Sequence, residues 1–180
     1  MCIRDRCTAS PAGDSIPCLM TLNAAIELTS RRGARRLPLN EFLTGPRQTA
    51  CAPDELVTAV YVPSDAETGV GGFEKLGARR YLVISIAMTA ARLSIADGRI
   101  GDAAISVGAC APVAVRLTEL EAGLRGMAYD MAGDFIRDSR SGIMAALSPI
   151  DDVRGTAGYR RDAAAEIVAR LVERLCGEFG

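Results

Sequence analysis

Residues 85–109 constrain the fold more tightly than any other stretch. Residues alternate between two faces from Ser85 to Ala96, Asp97-Gly98 follows, and a second alternating run returns from Ile100 to Ala109. Period-two alternation marks a strand, because successive side chains point to opposite faces. Asp-Gly is a favoured two-residue hairpin turn, since both positions adopt φ > 0. The segment predicts an antiparallel pair. Ile86, Met88 and Ala90 lie on one face and Ser85, Ala87 and Thr89 on the other. Ala103, Ile105, Val107 and Ala109 share a face of the return strand.

The flanks add shorter elements. Pro17 to Leu22 reads as one or two helical turns. Ala24 to Ser30 and Arg36 to Leu39 read as a hairpin turning at Arg32-Gly33. Asn40 is placed to cap a helical turn over residues 41–43, stopped by Gly45-Pro46. Glu55 to Val62 is rich in β-branched residues and predicts a strand. The polar, glycine-containing stretch from Ser64 to Gly72 reads as a linker, and Phe73 to Leu76 as a short strand. Helices are expected over residues 114–124, over residues 129–147 with interruptions at Gly133 and Gly142, and over residues 161–176. In the last, Ala164, Val168, Leu171 and Leu175 form an apolar stripe. Strands followed by helices imply an α+β fold, a meander sheet covered on one face.

Composition narrows function by exclusion. The 180-residue chain contains no histidine. That removes Ser–His and Cys–His nucleophile pairs and His-ligated zinc. Net charge is −1 and aromatics are 4%, a poor basis for binding nucleic acid. The six cysteines form no Cys-x-x-Cys pair. They are read as reduced thiols of a cytoplasmic protein, without a metal site. No apolar run reaches the roughly 18 residues of a membrane-spanning helix.

Four segments are candidates for chemistry. Thr8-Ala9-Ser10-Pro11-Ala12-Gly13-Asp14 is a tight turn ending in a carboxylate, which can accept hydrogen bonds from hydroxyl groups. Taken alone it reads as an ordinary turn closed by Asp. Phe73-Glu74-Lys75-Leu76-Gly77-Ala78-Arg79-Arg80 is a basic segment that otherwise reads as a solvated turn. Glu55-Leu56-Val57 reads by itself as plain strand core. Asp151-Asp152-Val153-Arg154-Gly155 could suggest paired acid–base carboxylates. Adjacent carboxylates point apart, however, and Arg154 is a ready ion-pair partner, so the segment is read as scaffold. Gly69-Val70-Gly71-Gly72 lacks the following helix of a dinucleotide-binding loop.

Together, the Thr8–Asp14 turn, the Lys-Leu-Gly-x-Arg-Arg-x-x-x-Ile-Ser pattern from Lys75 to Ser85, and Ser148-Pro149-Ile150-Asp151-Asp152-Val153-Arg154-Gly155-Thr156-Ala157-Gly158-Tyr159-Arg160-Arg161 resemble the FAD-carrying medium subunit of the molybdenum hydroxylases. This is the xanthine dehydrogenase and aerobic carbon monoxide dehydrogenase type. The resemblance implies the end of an FAD-binding α+β domain over residues 8–66, followed over residues 72–180 by a C-terminal domain with an antiparallel meander sheet and helices. Met1 to Cys7 is read as a non-native leader, and the chain as a truncated subunit that holds FAD weakly or not at all.

The function implied is electron transfer within an oxidoreductase. Electrons would pass from [2Fe–2S] clusters of a small subunit through FAD to NAD or another acceptor. The molybdenum cofactor would sit in a large subunit. FAD would contact Thr8, Ser10, Asp14, Val57 (Leu56 if the register differs by one) and Lys75, with the residue 77–82 loop near the ring edge. No catalytic acid, base or nucleophile is expected, because the redox chemistry belongs to the cofactor. The alternative is a non-enzymatic α+β assembly module.

Overall fold

The computed structural model describes residues 8–79 and 83–179. The order is α1 (Ser15–Thr21), β1 (Ala25–Ser30), β2 (Gly33–Pro38), α2 (Leu39–Phe42), β3 (Leu43–Gly45), β4 (Gln48–Thr49) and β5 (Leu56–Tyr61). A 3₁₀ turn (Ser64–Glu67) leads to β6 (Val70–Leu76), β7 (Ala87–Ala96), β8 (Arg99–Gly108) and β9 (Val115–Arg116). Then come α3 (Thr118–Leu124), a 3₁₀ turn (Tyr129–Met131), α4 (Ala132–Asp138), α5 (Arg140–Ala145) and α6 (Ala157–Gly177). The fold is α+β. A three-stranded sheet runs β2-β1-β5, β3 and β4 form a small ribbon, and β6-β7-β8-β9 is an antiparallel meander.

The β7–β8 hairpin turns where the sequence predicts, with Asp97 at φ 53° and Gly98 at φ 72° and Ala96 opposite Arg99. Ala87, Ala91 and Leu93 of β7 join Val168, Leu171, Val172 and Leu175 of α6 in one apolar cluster. The other face of the sheet is covered as well. A Cβ on Gly108 would lie 2.7 Å from Pro17 Cγ of α1 and 2.5 Å from Met88 Cε, and Arg92 Nε donates to the Thr21 carbonyl. The expectation of one covered face is therefore corrected. Helix α1 lies far from β7 in sequence, so strand periodicity carries no trace of its packing.

Other departures have local causes. The expected linker shrinks, because Gly71 and Gly72 are ladder residues opposite Arg92 and Ala91. A Cβ on Gly72 would come within 2.7 Å of Leu171 Cδ1 and 2.8 Å of Arg174 Nη2, so glycine there admits α6. Residues 115–116 are strand rather than helix, pairing with Ser106 and Val107. Beyond that short pairing the buried Glu121 accepts the Ile105 amide at 2.7 Å and is bound by Arg116 Nε and Nη2. The expected helix over residues 129–147 divides at Ser139, not at its glycines. Gly133 instead lets Glu173 approach, since a Cβ would meet its Cγ at 3.0 Å. Asn40 lies inside α2, which is preceded by Pro38 and lacks a side-chain cap. Helix α6 begins earlier than predicted, at Ala157, where Thr156 Oγ1 accepts the Tyr159 amide.

A second apolar cluster gathers Ala9, Ile16, Leu19, Met20, Ile26, Leu28, Leu39 and Phe42, and takes Ala114 from beyond β8. Among the described residues, no helix is long and apolar enough to cross a membrane.

Candidate functional site

The Thr8–Asp14 turn is held almost entirely by its backbone. Ala9 adopts φ 44° and buries its methyl in the second cluster, while its carbonyl accepts from the Arg47 amide at 2.9 Å. The Ser10 carbonyl accepts from Gly13 and the Gly13 carbonyl from Ile16, which carries the chain into α1. Ser10 Oγ accepts from the Ala12 amide at 3.3 Å. The Pro11 carbonyl accepts from the Ala109 amide at 3.0 Å, so the end of β8 fastens the turn.

Asp14 stands at the N-cap of α1, where an aspartate ordinarily accepts from helix amides. It makes no such bond. Its Oδ2 accepts from Lys75 Nζ at 2.6 Å and its Oδ1 from Ser85 Oγ at 2.7 Å. Three segments distant in sequence converge here: the turn, the end of β6 and the approach to β7. The Ile86 amide donates to the Leu76 carbonyl at 2.8 Å, binding the last two together beside the pair. The Asp14 and Lys75 side chains remain 47% and 26% exposed, whereas Ser85 is fully buried. The result is a carboxylate and an ammonium presented outward over a buried hydroxyl. Among the described residues, lone pairs on the carboxylate and two of the three ammonium protons are left for a ligand.

The other expected residues fall in different places. Ser10 lies in the same turn, half-buried, and Thr8 at its exposed start. Val57 is opposite Leu28 in the three-stranded sheet and packs on the second cluster; Leu56 is exposed. Of the residue 77–82 loop, Arg80 to Leu82 lie outside the described residues, as does the expected leader, Met1 to Cys7. Ser85 was not singled out from the sequence. Its signal was there: a serine closing the Lys75 pattern just before an apolar strand.

The Asp151–Arg161 segment stands directly behind. Arg154 Nε binds Asp152 at 3.0 Å and its Nη1 donates to the Ser85 carbonyl at 3.3 Å. The Arg154 guanidinium, followed by the Arg154 amide, holds the Asp152 carboxyl below the usual carboxylate range. The two carboxylates are separately engaged, Asp151 accepting from the Ala157 amide at the start of α6. That is a scaffold, not an acid–base pair. Cys110 is buried alongside, its Sγ near the Ile86 and Arg160 carbonyls, and burial pushes its thiol up to about 11. Three cavities, of about 640, 660 and 430 Å³, are lined by other residues than Asp14, Lys75 and Ser85. Among the described residues, no cluster of three or more Cys, Asp or Glu could hold a metal ion.

Comparison with known proteins shows the family. Residues 6–65 match the profile of the FAD binding domain in molybdopterin dehydrogenase, and residues 73–175 that of the CO dehydrogenase flavoprotein C-terminal domain. The chain is 32% identical over 162 residues to the nicotine 6-hydroxylase medium subunit of Paenarthrobacter nicotinovorans, covering 89% of this chain and 55% of that one. It is 33% identical over 165 residues to the carbon monoxide dehydrogenase medium chain of Afipia carboxidovorans, covering 90% and 56%. A chain of the cyanide-inactivated Cu,Mo-CO dehydrogenase superposes with a TM-score of 0.88 at 28% identity, covering 96% of this chain and 59% of that one. The chain spans about half the length of the curated relatives it matches.

Proposed function

This chain belongs to the CO dehydrogenase flavoprotein family, and on that premise we propose that it is the FAD-binding, electron-transferring part of a molybdenum hydroxylase medium subunit. The observation that carries this reading is the meeting of Asp14, from the segment matching the FAD-binding profile, with Lys75, from the segment matching the flavoprotein C-terminal profile.

The groups present fit a flavin. A ribityl chain offers hydroxyl donors, and the exposed carboxylate of Asp14 is an acceptor for them. Thr8 and Ser10 add hydroxyls in the same turn. The Lys75 ammonium places positive charge where a reduced ring carries negative charge. Val57 would furnish apolar contact from β5. FAD, when bound, supplies the redox chemistry; the chain's own residues bind and orient it. Residues 8–66 would be the later part of the FAD-binding domain and residues 72–180 the C-terminal domain. The partners would be an iron–sulfur small subunit and a molybdenum-cofactor large subunit in the cytoplasm, with NAD or another molecule as final acceptor.

A second reading, an assembly module without redox function, is favoured by the exposed Ile84, Ile150 and Val153. Flavin titration separates the two. FAD is added to a chimera in which the preceding half is taken from the Afipia medium chain, and quenching of flavin fluorescence is followed. Tight binding that Asp14→Asn or Lys75→Met weakens supports the flavoprotein; unchanged binding in both variants overturns it.

A further inference from the structure

Among the described residues, Arg160 is the largest fully buried side chain, with 2% exposure. A guanidinium carries five donors in a fixed fork and stays charged at every physiological pH. Burying it is costly unless its donors are met. Here Nε donates to the Ile86 carbonyl at 3.1 Å. Nη1 donates to the Ile150 carbonyl at 3.0 Å and to Asp152 Oδ2 at 3.3 Å. Nη2 donates to the Ala109 carbonyl. One side chain thus binds three separate stretches of backbone and a carboxylate.

Two of those carbonyls belong to the peptides that frame the outward-facing pair. Ile86 follows Ser85, whose hydroxyl binds Asp14, and its amide donates to the Leu76 carbonyl beside Lys75. The Ala109 amide holds the Pro11 carbonyl, within the turn that ends at Asp14. Ala109 itself sits at φ 63°, in the left-handed region that a non-glycine residue adopts only where its surroundings hold it. A further route runs from Arg160 through Asp152 to Arg154 and on to the Ser85 carbonyl. Ser85 is therefore fastened through its own carbonyl by Arg154 and through that of Ile86 by Arg160; Lys75 is linked by the Leu76–Ile86 bond beside it, and Asp14 by the bond from Ala109 to Pro11, three residues before it.

We propose that Arg160 is the positioning residue of the ligand-facing pair: buried at the start of α6, it fixes the distance between the Thr8–Asp14 turn and the Lys75 and Ser85 segments. It touches neither Asp14 nor Lys75. It sets where they stand by holding the peptides next to them. The proposal rests on the flavin reading for the identity of the ligand, but not for the positioning itself.

The test uses the present chain without flavin. Amide exchange at Ile86 and Ala109 and the ¹³Cγ resonance of Asp14 are recorded in the wild type, Arg160→Met, Arg160→Lys and Arg137→Met. Arg137 of α4 forms an exposed ion pair with Glu173 of α6, the helix that carries Arg160, and controls for general loosening. Arg160→Met is expected to speed exchange at both amides about tenfold, as for local opening after loss of buried hydrogen bonds. The Asp14 resonance should move toward its position in Lys75→Met. Arg160→Lys keeps the charge without the fork and should fall between, at about threefold; it is read alone if Arg160→Met does not fold. Arg137→Met should match the wild type. Unchanged exchange and an unmoved Asp14 resonance in Arg160→Lys and Arg160→Met overturn the proposal. Equal acceleration throughout the protein also overturns it, since Arg160 would then be a general stabiliser. If positioning is lost as expected while Asp14→Asn leaves FAD binding in the chimera unchanged, the flavin reading fails and the positioning stands.

Discussion

Lys75 Nζ donates to Asp14 Oδ2 at 2.6 Å across 61 positions of sequence. An ion pair this exposed contributes about 0–1 kcal/mol to stability, because water screens it and both side chains lose freedom. Its value to a ligand is larger, since charge-assisted bonds to a bound molecule are worth about 1.5–3 kcal/mol. The two roles separate experimentally. Asp14→Asn and Lys75→Met should each lower FAD affinity of the chimera about ten- to a hundredfold while shifting Tm little. Fluorescence titration and thermal unfolding of the same preparations check this.

The acid limb of stability should depend on Glu55. Arg35 binds both of its oxygens, at 2.7 and 2.8 Å, and the Ala52 amide donates to it. The Arg35 hydrogen bonds, with that amide next, lower the Glu55 carboxyl to about 2. A group lowered on folding stabilises the protein above its unfolded value, and that contribution is lost as pH falls through the folded value. Tm should therefore decline from the ordinary glutamate value down to about pH 2. In Glu55→Gln the decline over that window should be shallower, by thermal unfolding across the series.

Thiol reactivity should divide by burial. The thiolate is the reactive form, and burial raises the thiols of both Cys110 and Cys176. Cys18 and Cys51 are half-buried. Brief alkylation at pH 8 followed by peptide mass spectrometry should label Cys18 and Cys51 well before Cys110 and Cys176.

Two glycine substitutions should have opposite signs. Gly69 has φ +87°, and a Cβ there would lie 2.1 Å from the Leu93 carbonyl oxygen. Gly69→Ala combines backbone strain with a clash against a strand and should cost about 3 kcal/mol. Gly142 lies inside α5 with nothing within 4 Å of an added Cβ. Gly142→Ala should stabilise by up to about 1 kcal/mol, through helix propensity and a less free unfolded chain. Urea unfolding of both variants measures the pair.

Much of this architecture is readable along the chain. Alternation over residues 85–109 and the Asp97-Gly98 turn specify a hairpin, because side-chain direction and turn dihedrals are properties of adjacent residues. The stripe from Ala164 to Leu175 specifies the face of α6 for the same reason. The family patterns single out Asp14 and Lys75 individually. What local pattern does not contain is their meeting. That depends on α1 closing the second face of the meander, on a buried Ser85 hydroxyl reaching the far end of the chain's first turn, and on the Arg160 fork gathering carbonyls from three segments. The helical reading likewise misses the break at Ser139 and the strand at residues 115–116, which is made by pairing with β8. Local geometry is encoded residue by residue, whereas the burial of a charge is decided by which distant groups are there to meet its donors.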